Sequence, residues 1–333
     1  MNSWLVKKGK QLYVVKDYWT HEGRKRTEEE ILLKVKGLMG VSQLVEAWTI
    51  QTEGANETTD QLQPAFLVGN IEFETRLHRH LLLTPVGDPL AQFSSLQELV
   101  SIFIDIIHVH FVLVDIYNIL HCDISFNNIL LFICATRWAT TSHVQQEWEN
   151  AIANKKFRCG LLIDFDYANI LNAGKQGVSS GDRTGTMPFM AIDLLREHTN
   201  PSKDFIHTFS HDLESLIYVL VWICVLYQAP NEIHSDHSIE QTCLKQWALV
   251  KMTNDIQALC DQKIGQLSSR SVLSDFMPYF EPLKPAVTRL YKLIQSSHDS
   301  GDKIILNHAA VTEVLMDAFK MVTEVPCGMA NAK

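Results

Sequence analysis

The sequence predicts an α+β protein with a small strand-rich front part and a larger helical rear part. Short β-branched segments dominate the first ninety residues, whereas long apolar segments of helical character follow Pro89. At roughly 150 residues per domain, a chain of 333 residues corresponds to about two domains or to one large two-lobed domain. A strand-rich front and a helical rear fit one α+β protein of two unequal lobes.

The front part is predicted to contain strands and one helix. LYVVKD, residues 12–17, is a short β-branched strand, and the preceding KKGKQ is the turn of an antiparallel hairpin. A helix begins after Thr27, which suits an N-cap, and carries three glutamates in its first turn. Further predictions are strands at AFLVGNIEFE (65–74) and RHLLLTPVG (79–87), and a polar loop or excursion at 51–63.

The rear part is predicted to be mainly helical. Residues 95–120 carry apolar side chains on most faces, as the helix of a protein core does. Residues 120–133 and 159–171 each combine an apolar strand with a polar loop. The remaining predictions are an apolar helix at 211–226, three or four amphipathic segments within 241–323, and a polar insertion at about 136–158.

Composition and charge exclude several classes of protein. The chain is 46% hydrophobic and 20% charged, which rules out global disorder, and its net charge of −9 argues against a general nucleic-acid binder. The seven cysteines are widely spaced without a CxxC pair, which is typical of reduced thiols. The longest apolar run, Leu216 to Tyr227, has twelve residues, too few to span a bilayer. We therefore expect a soluble intracellular protein without membrane or nucleic-acid partners.

Two polar motifs point to phosphoryl-transfer chemistry. HCDISFNN has the form H-x-D-x-x-x-x-N with Asp123 and Asn128, and Asp164 follows the apolar run LLI. Phosphoryl transfer requires an Asp that orients the acceptor hydroxyl, and an Asn and a second Asp that hold Mg²⁺. The alternative is that these side chains only cap turns. The order of the two motifs, each beside an apolar stretch, favours the first interpretation.

These motifs, with others, resemble those of eukaryotic-type protein kinases, and more closely those of the fungal-type protein kinase family. The resemblance covers roughly residues 12–226. The segments that carry it are VVKDYW, LLTPVGDPL, LHCDISFNNILL, LLIDFDYA, GTMPFMAIDLL and HDLESLIYVLVWIC. It implies a single kinase-like domain over residues 1–333, with an N-lobe at 1–83, a hinge at 84–88 and a C-lobe at 89–333.

The resemblance also implies roles for individual residues. Asp123 would be the catalytic base for a Ser or Thr hydroxyl, and Asn128 and Asp164 would bind Mg²⁺. Lys16 and Glu28 would form the ion pair that positions the phosphates of ATP. A lysine at a strand end is more often a solvated edge charge. Three consecutive glutamates, residues 28–30, leave the choice of partner open, and Glu28 is preferred because apolar residues then lie one turn on.

Further roles follow from the same resemblance. Thr186 would support Asp123, and Leu83, Thr84 and Val86 would belong to the hinge, whose backbone binds adenine. His121, Phe165 and Leu32 would stack in an apolar column. Asp212 is expected to cap its helix, and the resemblance implies that it also ties down the backbone of the catalytic loop.

The chain departs from the common kinase pattern at several positions. Cys122 stands where many kinases carry Arg, Ser125 where Ser/Thr kinases carry Lys, and Asp166 where a Gly is usual. Ile192 and Asp193 replace the usual Pro-Glu pair. Without the Arg that reads a phosphate on the activation loop, we do not expect phosphorylation of that loop to be the on-switch.

The largest departure concerns the glycine-rich phosphate loop. Fifteen residues precede Lys16, and Gly9 is their only glycine, so the family's G-x-G-x-x-G motif does not occur among them. Its absence favours one alternative to an ATP- and Mg²⁺-dependent protein kinase with an unknown protein substrate, namely a pseudokinase or scaffold. A second alternative is a small-molecule kinase of the choline or aminoglycoside type. Such kinases also use H-x-D-x-x-x-x-N but generally lack segments such as GTMPFMA and DLES.

Overall fold

The structure is a computed structural model that describes residues 2–22, 26–61, 75–133, 158–171, 177–179, 185–202, 205–233, 239–300 and 305–324. Within them the protein combines a small region of antiparallel sheet with many helices, which confirms the predicted mixed α and β character. The predicted strand at 65–74 and residues 136–157 of the predicted insertion lie outside the described residues.

The strands are mostly short, and the longer ones lie in the front part. In chain order they are β1 (Asn2–Lys8), β2 (Gln11–His21), β3 (Gln43–Thr49), β4 (Gln51–Thr52), β5 (Ala55–Asn56), β6 (Arg76–Thr84), β7 (Asp88–Pro89), β8 (Ile119–Leu120), β9 (Ile129–Phe132), β10 (Cys159–Leu162), β11 (Asn169–Ile170), β12 (Gly177–Ser179), β13 (Ile206–Thr208), β14 (Tyr227–Ala229) and β15 (Glu232–Ile233).

The α-helices of the described residues lie mainly in the rear part. They are α1 (Glu28–Lys34), α2 (Leu96–Asp115), α3 (Ile192–Thr199), α4 (Phe209–Leu226), α5 (Lys245–Thr253), α6 (Ile256–Ser269), α7 (Lys284–Ser300) and α8 (His308–Glu324). Helices α5 to α8 occupy the region in which three or four amphipathic segments were predicted. Helix α8 packs against α2 and α7, which ties this last described helix to the core.

The main sheet has four strands in the order β1-β2-β6-β3, all antiparallel. The predicted hairpin is confirmed, because β1 pairs with β2 around a turn in which Gly9 adopts a φ of 63°. Strand β2 places Lys16 opposite Leu81 and Asp17 opposite His80 of β6. Because successive side chains point to opposite faces of a strand, Lys16 and Asp17 serve different sides of the sheet.

Strand β3 was not predicted, and its geometry explains why. Its pairing with β6 shifts register between Leu44 and Glu46, so Val45 is an extra residue and is 48% exposed. Such a bulge breaks the alternation of buried and exposed side chains that identifies a strand in a sequence. The polar segment after it is an excursion that contains the small hairpin β4–β5, which turns through Glu53 and Gly54, both at positive φ.

Helix α1 begins where the sequence predicts. Thr27 accepts a hydrogen bond on its hydroxyl from the Glu30 backbone N–H, and the Glu30 carboxylate accepts one from the Thr27 N–H. This capping box satisfies two backbone donors that a helix start otherwise leaves open. Glu28, Ile31 and Leu32 are buried, so one face of this short helix packs on the sheet and the core.

Two long helices form the centre of the rear part. Helices α2 and α4 have 20 and 18 residues with mean hydropathies of 1.7 and 1.6, so by length and composition alone either is able to cross a membrane. Yet 72% and 83% of these windows are buried inside the protein, as in the core helices of a folded domain. Helix α4 begins at Phe209, seven residues before the twelve-residue apolar run that starts at Leu216. The polar residues at its start are buried too.

Candidate active site

The loop between β8 and β9 carries the HCDISFNN motif and is anchored by Asp212. One carboxylate oxygen of Asp212 accepts hydrogen bonds from the backbone N–H groups of His121 and Cys122, each at 3.1 Å. The carboxylate also contacts His110 Nε2 and His207 Nε2, both at 3.0 Å. This contact set fixes the loop backbone, as the resemblance implied.

The prediction that Asp212 caps its helix is wrong. Helix α4 begins at Phe209, and Thr208 is its N-cap, paired reciprocally with His211. Asp212 lies in the first turn, and its carboxylate turns towards the loop instead. Burial alone raises the pKa of a carboxyl group, but hydrogen bonds from His110 and His207 hold the pKa of Asp212 well below its usual range. The loop is therefore held by a buried carboxylate that is ionised.

Cys122 occupies a strained backbone position in the same loop. Its φ is 65°, in the left-handed region that residues with a Cβ rarely adopt. The two hydrogen bonds to Asp212 hold the backbone in this conformation. Such residues cluster at functional sites, where the surrounding structure compensates the strain. Cys122 directly precedes Asp123, so its backbone conformation sets the direction in which the chain enters Asp123.

Asp123 is held on both of its oxygens. Its Oδ1 accepts hydrogen bonds from the Thr186 N–H at 2.7 Å and from the Thr186 hydroxyl at 2.9 Å. Asn128 Nδ2 donates to Asp123 Oδ2 at 3.1 Å and to the Asp123 carbonyl oxygen at 2.9 Å. Burial raises the pKa of Asp123 to about 6, hydrogen bonds from Thr186 oppose the rise, and the nearby Asp164 adds to it. The structure thus brings together three of the residues singled out in the sequence.

Asp164 follows β10 and faces Lys16. Its φ of 64° is a second left-handed position beside the site, and its Oδ1 lies 2.7 Å from Lys16 Nζ. Burial raises the pKa of this carboxyl group, but the Lys16 ammonium outweighs burial and lowers it. Asp164 is therefore ionised at neutral pH and holds one side of the ammonium.

Lys16 and Glu28 form a buried ion pair between β2 and α1. Lys16 is 3% exposed and Glu28 is 1% exposed. Burial alone lowers the pKa of Lys16, but Glu28 and Asp164 together raise it above its ordinary value, so the ammonium stays charged. Glu28 also accepts a hydrogen bond from the Phe165 N–H at 3.1 Å, which links α1 to the segment after β10.

The three consecutive glutamates of α1 have different partners. Glu28 faces Lys16, Glu29 binds Arg79 on the neighbouring strand, and Glu30 belongs to the capping box. Of the three, only Glu28, which lies one turn before the buried Ile31 and Leu32, points at β2. The geometry therefore agrees with the choice of Glu28, because residues three and four apart lie on one face of a helix.

Apolar contacts lie beside the polar cluster. The rings of His121 and Phe165 meet edge to face, with centroids 4.9 Å apart, and Leu32 belongs to the same buried core. Burial lowers the pKa of His121, so its imidazole is neutral, and its Nε2 bonds the Ile163 carbonyl oxygen at 3.1 Å. The structure thus brings His121 and Phe165 of the predicted column into contact and buries Leu32 in the same core.

The segment predicted to be the hinge, residues 84–88, runs from the end of β6 to the start of β7. Leu83 and Thr84 end β6, with Leu83 buried and Thr84 partly exposed, and the Thr84–Pro85 peptide bond is cis. A Cβ added at Gly87 would lie 2.7 Å from the Leu130 Cβ, so only glycine fits this approach to β9. Val86 lies between these fixed points and, unlike Pro85, has a backbone N–H that is able to donate a hydrogen bond.

The segment from Gly185 to Asp193 is held by contacts that the sequence analysis did not predict. Lys263 Nζ donates to the Met190 carbonyl oxygen at 2.6 Å and lies 3.8 Å from the centre of the Tyr218 ring, and burial lowers the pKa of Lys263 well below its usual range. Glu214 accepts a hydrogen bond from the Ile192 N–H at 2.8 Å. Lys263 lies on α6, far along the chain, and no local pattern in the sequence marks it.

A second missed contact joins Asp193 to α7. His298 lies 3.4 Å from an Asp193 oxygen and 3.4 Å from a Glu214 oxygen. Burial alone lowers the pKa of His298, but hydrogen bonds to Asp193 and Glu214 raise it to about 10. Asp193 is thus the anionic partner of a cation from the rear helices.

The residues of the site fit Mg²⁺ and the phosphates of a nucleotide. Asp123 and Asp164 are two neighbouring carboxylates, and the charge of Asp164 raises the pKa of Asp123, a repulsion that a divalent cation relieves. The amide nitrogen of Asn128 donates to Asp123, which leaves the amide oxygen as the ligand atom. Carboxylate and amide oxygens are the donors that Mg²⁺ prefers in proteins.

Comparison with known proteins agrees with this geometry. The sequence model of the family described as fungal protein kinase matches residues 2–224, well over half of the chain, and that range contains every predicted site residue. No curated protein matches the chain. The match supports a kinase-type function in general terms, and protein kinases generally use ATP and Mg²⁺. The chain belongs to the fungal protein kinase family.

Proposed function

We propose that this protein is an ATP- and Mg²⁺-dependent protein kinase that transfers the γ-phosphate to Ser or Thr hydroxyl groups of proteins. The observation that carries the proposal is the geometry around Asp123. Its carboxylate is oriented by Thr186 and Asn128, while Lys16, Glu28 and Asp164 form one connected charge network beside it. Proteins catalyse phosphoryl transfer mainly by positioning the reacting groups and by stabilising the charge that develops on them.

Asp123 is the proposed base. With Oδ1 held by Thr186 and Oδ2 by Asn128, the carboxylate is fixed in orientation before a hydroxyl arrives. Its pKa of about 6 lies close to neutral pH, where a base is both deprotonated and able to take up a proton. The hydroxyl of Thr186, bound to the same oxygen, is positioned to support both Asp123 and the substrate hydroxyl.

Asn128 and Asp164 are the proposed Mg²⁺ ligands. Bound Mg²⁺ neutralises the charge that develops on the transferred phosphoryl group. Lys16 is the proposed phosphate-binding residue, kept charged and aimed by Glu28 and Asp164. The backbone at Leu83, Thr84 and Val86 is the proposed adenine site, in a protein of two lobes joined by residues 84–88.

A catalytically weak or inactive family member is the second candidate. It is favoured by Ser125, which stands where Ser/Thr kinases carry the Lys that neutralises the transferring phosphate. A small-molecule kinase is the third, and the segment Gly185 to Ala191 with the DLES helix argues against it. We also propose an intracellular soluble protein without a membrane or nucleic-acid partner, on the basis of its net charge and of the wide spacing of its cysteines, which form no CxxC pair.

Nucleotide binding followed by single-turnover phosphorylation separates these candidates. The purified chain is mixed with ATP and Mg²⁺, and transfer is measured to generic protein substrates and to a panel of small hydroxyl compounds. The proposal predicts transfer to protein Ser or Thr, lost in Asp123→Asn and Asp164→Asn. The matched control is Asp261→Asn, an exposed carboxylate on α6, which leaves the rate unchanged.

The other outcomes each identify a rival. Binding of ATP and Mg²⁺ without transfer to any acceptor supports the inactive family member. Transfer to a small hydroxyl compound but not to protein supports the small-molecule kinase. Transfer that persists unchanged in Asp123→Asn refutes the assignment of Asp123, whatever the acceptor.

A further inference from the structure

A cluster of metal-ligating side chains lies on the face of the main sheet opposite to Lys16. Asp17 of β2 and His78 and His80 of β6 each direct one ligand atom to a common point, and these atoms all lie within 4.8 Å of one another. Asp17 Oδ1 lies 2.5 Å from His78 Nε2 and 3.6 Å from His80 Nε2. None of these residues belongs to the proposed active site.

The antiparallel register creates this convergence. Asp17 pairs directly with His80, and Trp19 pairs with His78, so Asp17 lies diagonally across from His78. Residues two apart on a strand share a face, which places both imidazoles beside the same carboxylate. The three ligand residues therefore lie on two hydrogen-bonded strands, where the backbone sets their spacing.

A second carboxylate orients one of the imidazoles. Glu57 Oε2 lies 2.8 Å from His78 Nδ1, and the backbone carbonyl oxygen of Glu57 accepts a hydrogen bond from the backbone N–H of His78 at 3.0 Å. A histidine that binds a metal through one ring nitrogen usually donates the other N–H to a carboxylate, which fixes the ring and increases its basicity. Glu57 occupies that supporting position for His78.

Aromatic rings wall the cluster. Trp19 stacks on His78 with centroids 4.5 Å apart and planes 9° apart, and Trp48 meets the His80 ring edge to face at 5.3 Å. The side chains of Asp17, His78 and His80 are 16%, 18% and 20% exposed. The rings thus limit rotation of both imidazoles while the site stays open to solvent on one side.

Charge also favours a cation. Asp17 and Glu57 are two carboxylates with His78 between them. A divalent cation brings two positive charges, which balance the two carboxylates.

We propose that Asp17, His78 and His80 bind Zn²⁺, with Glu57 orienting His78 and a fourth position left for water. Two imidazole nitrogens and one carboxylate oxygen suit Zn²⁺ and disfavour Mg²⁺ or Ca²⁺, which prefer oxygen ligands. Ligands at about 2.0–2.1 Å in a tetrahedral site lie roughly 3.3 Å apart. The His80 contact is already close to that spacing, and the shorter His78 contact reaches it by a small side-chain rotation.

Zinc binding to the purified chain tests this proposal. The protein is stripped with a chelator, and Zn²⁺ is titrated by calorimetry while the thermal unfolding midpoint is recorded with and without the ion. We expect one Zn²⁺ per chain and a rise of several degrees in the midpoint, because the ion binds the folded state. Co²⁺ in place of Zn²⁺ is expected to give the visible absorption of a tetrahedral site.

The variants decide whether the ion binds at this cluster. His78→Gln and His80→Gln are expected to abolish stoichiometric binding, whereas the matched control His21→Gln, an exposed histidine of the same strand as Asp17, is expected to retain it. Glu57→Gln keeps all three ligands and is expected to weaken binding about 10- to 100-fold, as loss of a supporting carboxylate does. Circular dichroism confirms that each variant is folded.

Three results overturn the proposal. The first is no stoichiometric Zn²⁺ binding by the wild-type chain. The second is binding that persists at wild-type affinity in both His78→Gln and His80→Gln, which places the ion elsewhere. The third is a Glu57→Gln variant with unchanged affinity, which removes the role assigned to that carboxylate.

Discussion

Replacing Lys16 with Met tests whether the buried ion pair holds the sheet and helix α1 together. Lys16 and Glu28 are almost completely buried, and Lys16 Nζ also lies 2.7 Å from Asp164 Oδ1. With an effective dielectric constant near 20, one such contact carries a gross attraction of about 6 kcal/mol, most of it offset by desolvation. Removal of the ammonium leaves Glu28 buried without its cation, and this typically costs about 3–5 kcal/mol.

The double variant separates the pair from the packing. In Lys16→Met/Glu28→Gln both charges of the pair are gone, and the new amide side chain keeps an oxygen to accept the Phe165 N–H. We expect Lys16→Met to cost about 3 kcal/mol and the double variant to recover at least about 1.5 kcal/mol of it, a coupling typical of contacting residues. Urea unfolding monitored by tryptophan fluorescence gives the free energy of unfolding from midpoint and slope.

A matched control and a refuting outcome complete this experiment. Glu29→Gln removes the partner of Arg79, in an ion pair whose side chains are 28% and 18% exposed, and is expected to cost less than about 1 kcal/mol. The single variant Glu28→Gln is measured as well. If Lys16→Met costs no more than Glu29→Gln, or if the cost of the double variant equals the sum of the costs of Lys16→Met and Glu28→Gln, the buried pair is not coupled and the reasoning is wrong.

Three more predictions concern pH and the anchors of the loops. The kcat/KM of phosphoryl transfer should fall about tenfold per pH unit below about 6, because protonated Asp123 accepts no proton; a flat pH profile contradicts its role as base. Asp212→Asn should lower the free energy of unfolding by about 2–4 kcal/mol in urea, since it weakens buried hydrogen bonds to a charged acceptor; a loss below about 0.5 kcal/mol speaks against this anchor. The pKa of His298 rises from 6.5 to about 10 on folding, so its stabilising contribution is complete below pH 6.5 and is lost as pH rises towards 10. His298→Gln should remove that part of the pH dependence, on the order of 2 kcal/mol, in unfolding measured at pH 6 and pH 9.5, and a variant with the wild-type slope disproves the contribution.

Much of the fold could be predicted because its signals are local. The hairpin around Gly9, the capped start of α1 at Thr27 and the apolar helix α4 follow from turn residues, caps and periodicity within short windows. Strand β3 escaped because its bulge at Val45 breaks the alternation on which strand prediction depends. The cap of α4 was misassigned because Thr208 and Asp212 both lie near the helix start, and both residue types suit an N-cap.

Some residues of the candidate site could likewise be predicted from local sequence motifs, and others could not. Asp123, Asn128 and Asp164 lie in compact motifs, so their residue types and spacing marked them in the sequence. The contacts of Asp212 with the loop were implied only by resemblance, and those of Lys263 and His298 were missed, because each joins segments far apart in the chain. Such contacts depend on how helices pack, and packing leaves no short pattern in a sequence.

The sequence by itself determined the α+β character, the kinase-type motifs and their order, and the family to which the chain belongs. Only the tertiary structure decided that Glu28 rather than its neighbours meets Lys16, that Asp212 binds the loop rather than capping a helix, and that Asp17, His78 and His80 converge. The physical reason is the distance along the sequence over which each interaction acts. Caps, turns and periodicity act over a few residues, whereas burial and strand register bring together side chains that the sequence keeps apart.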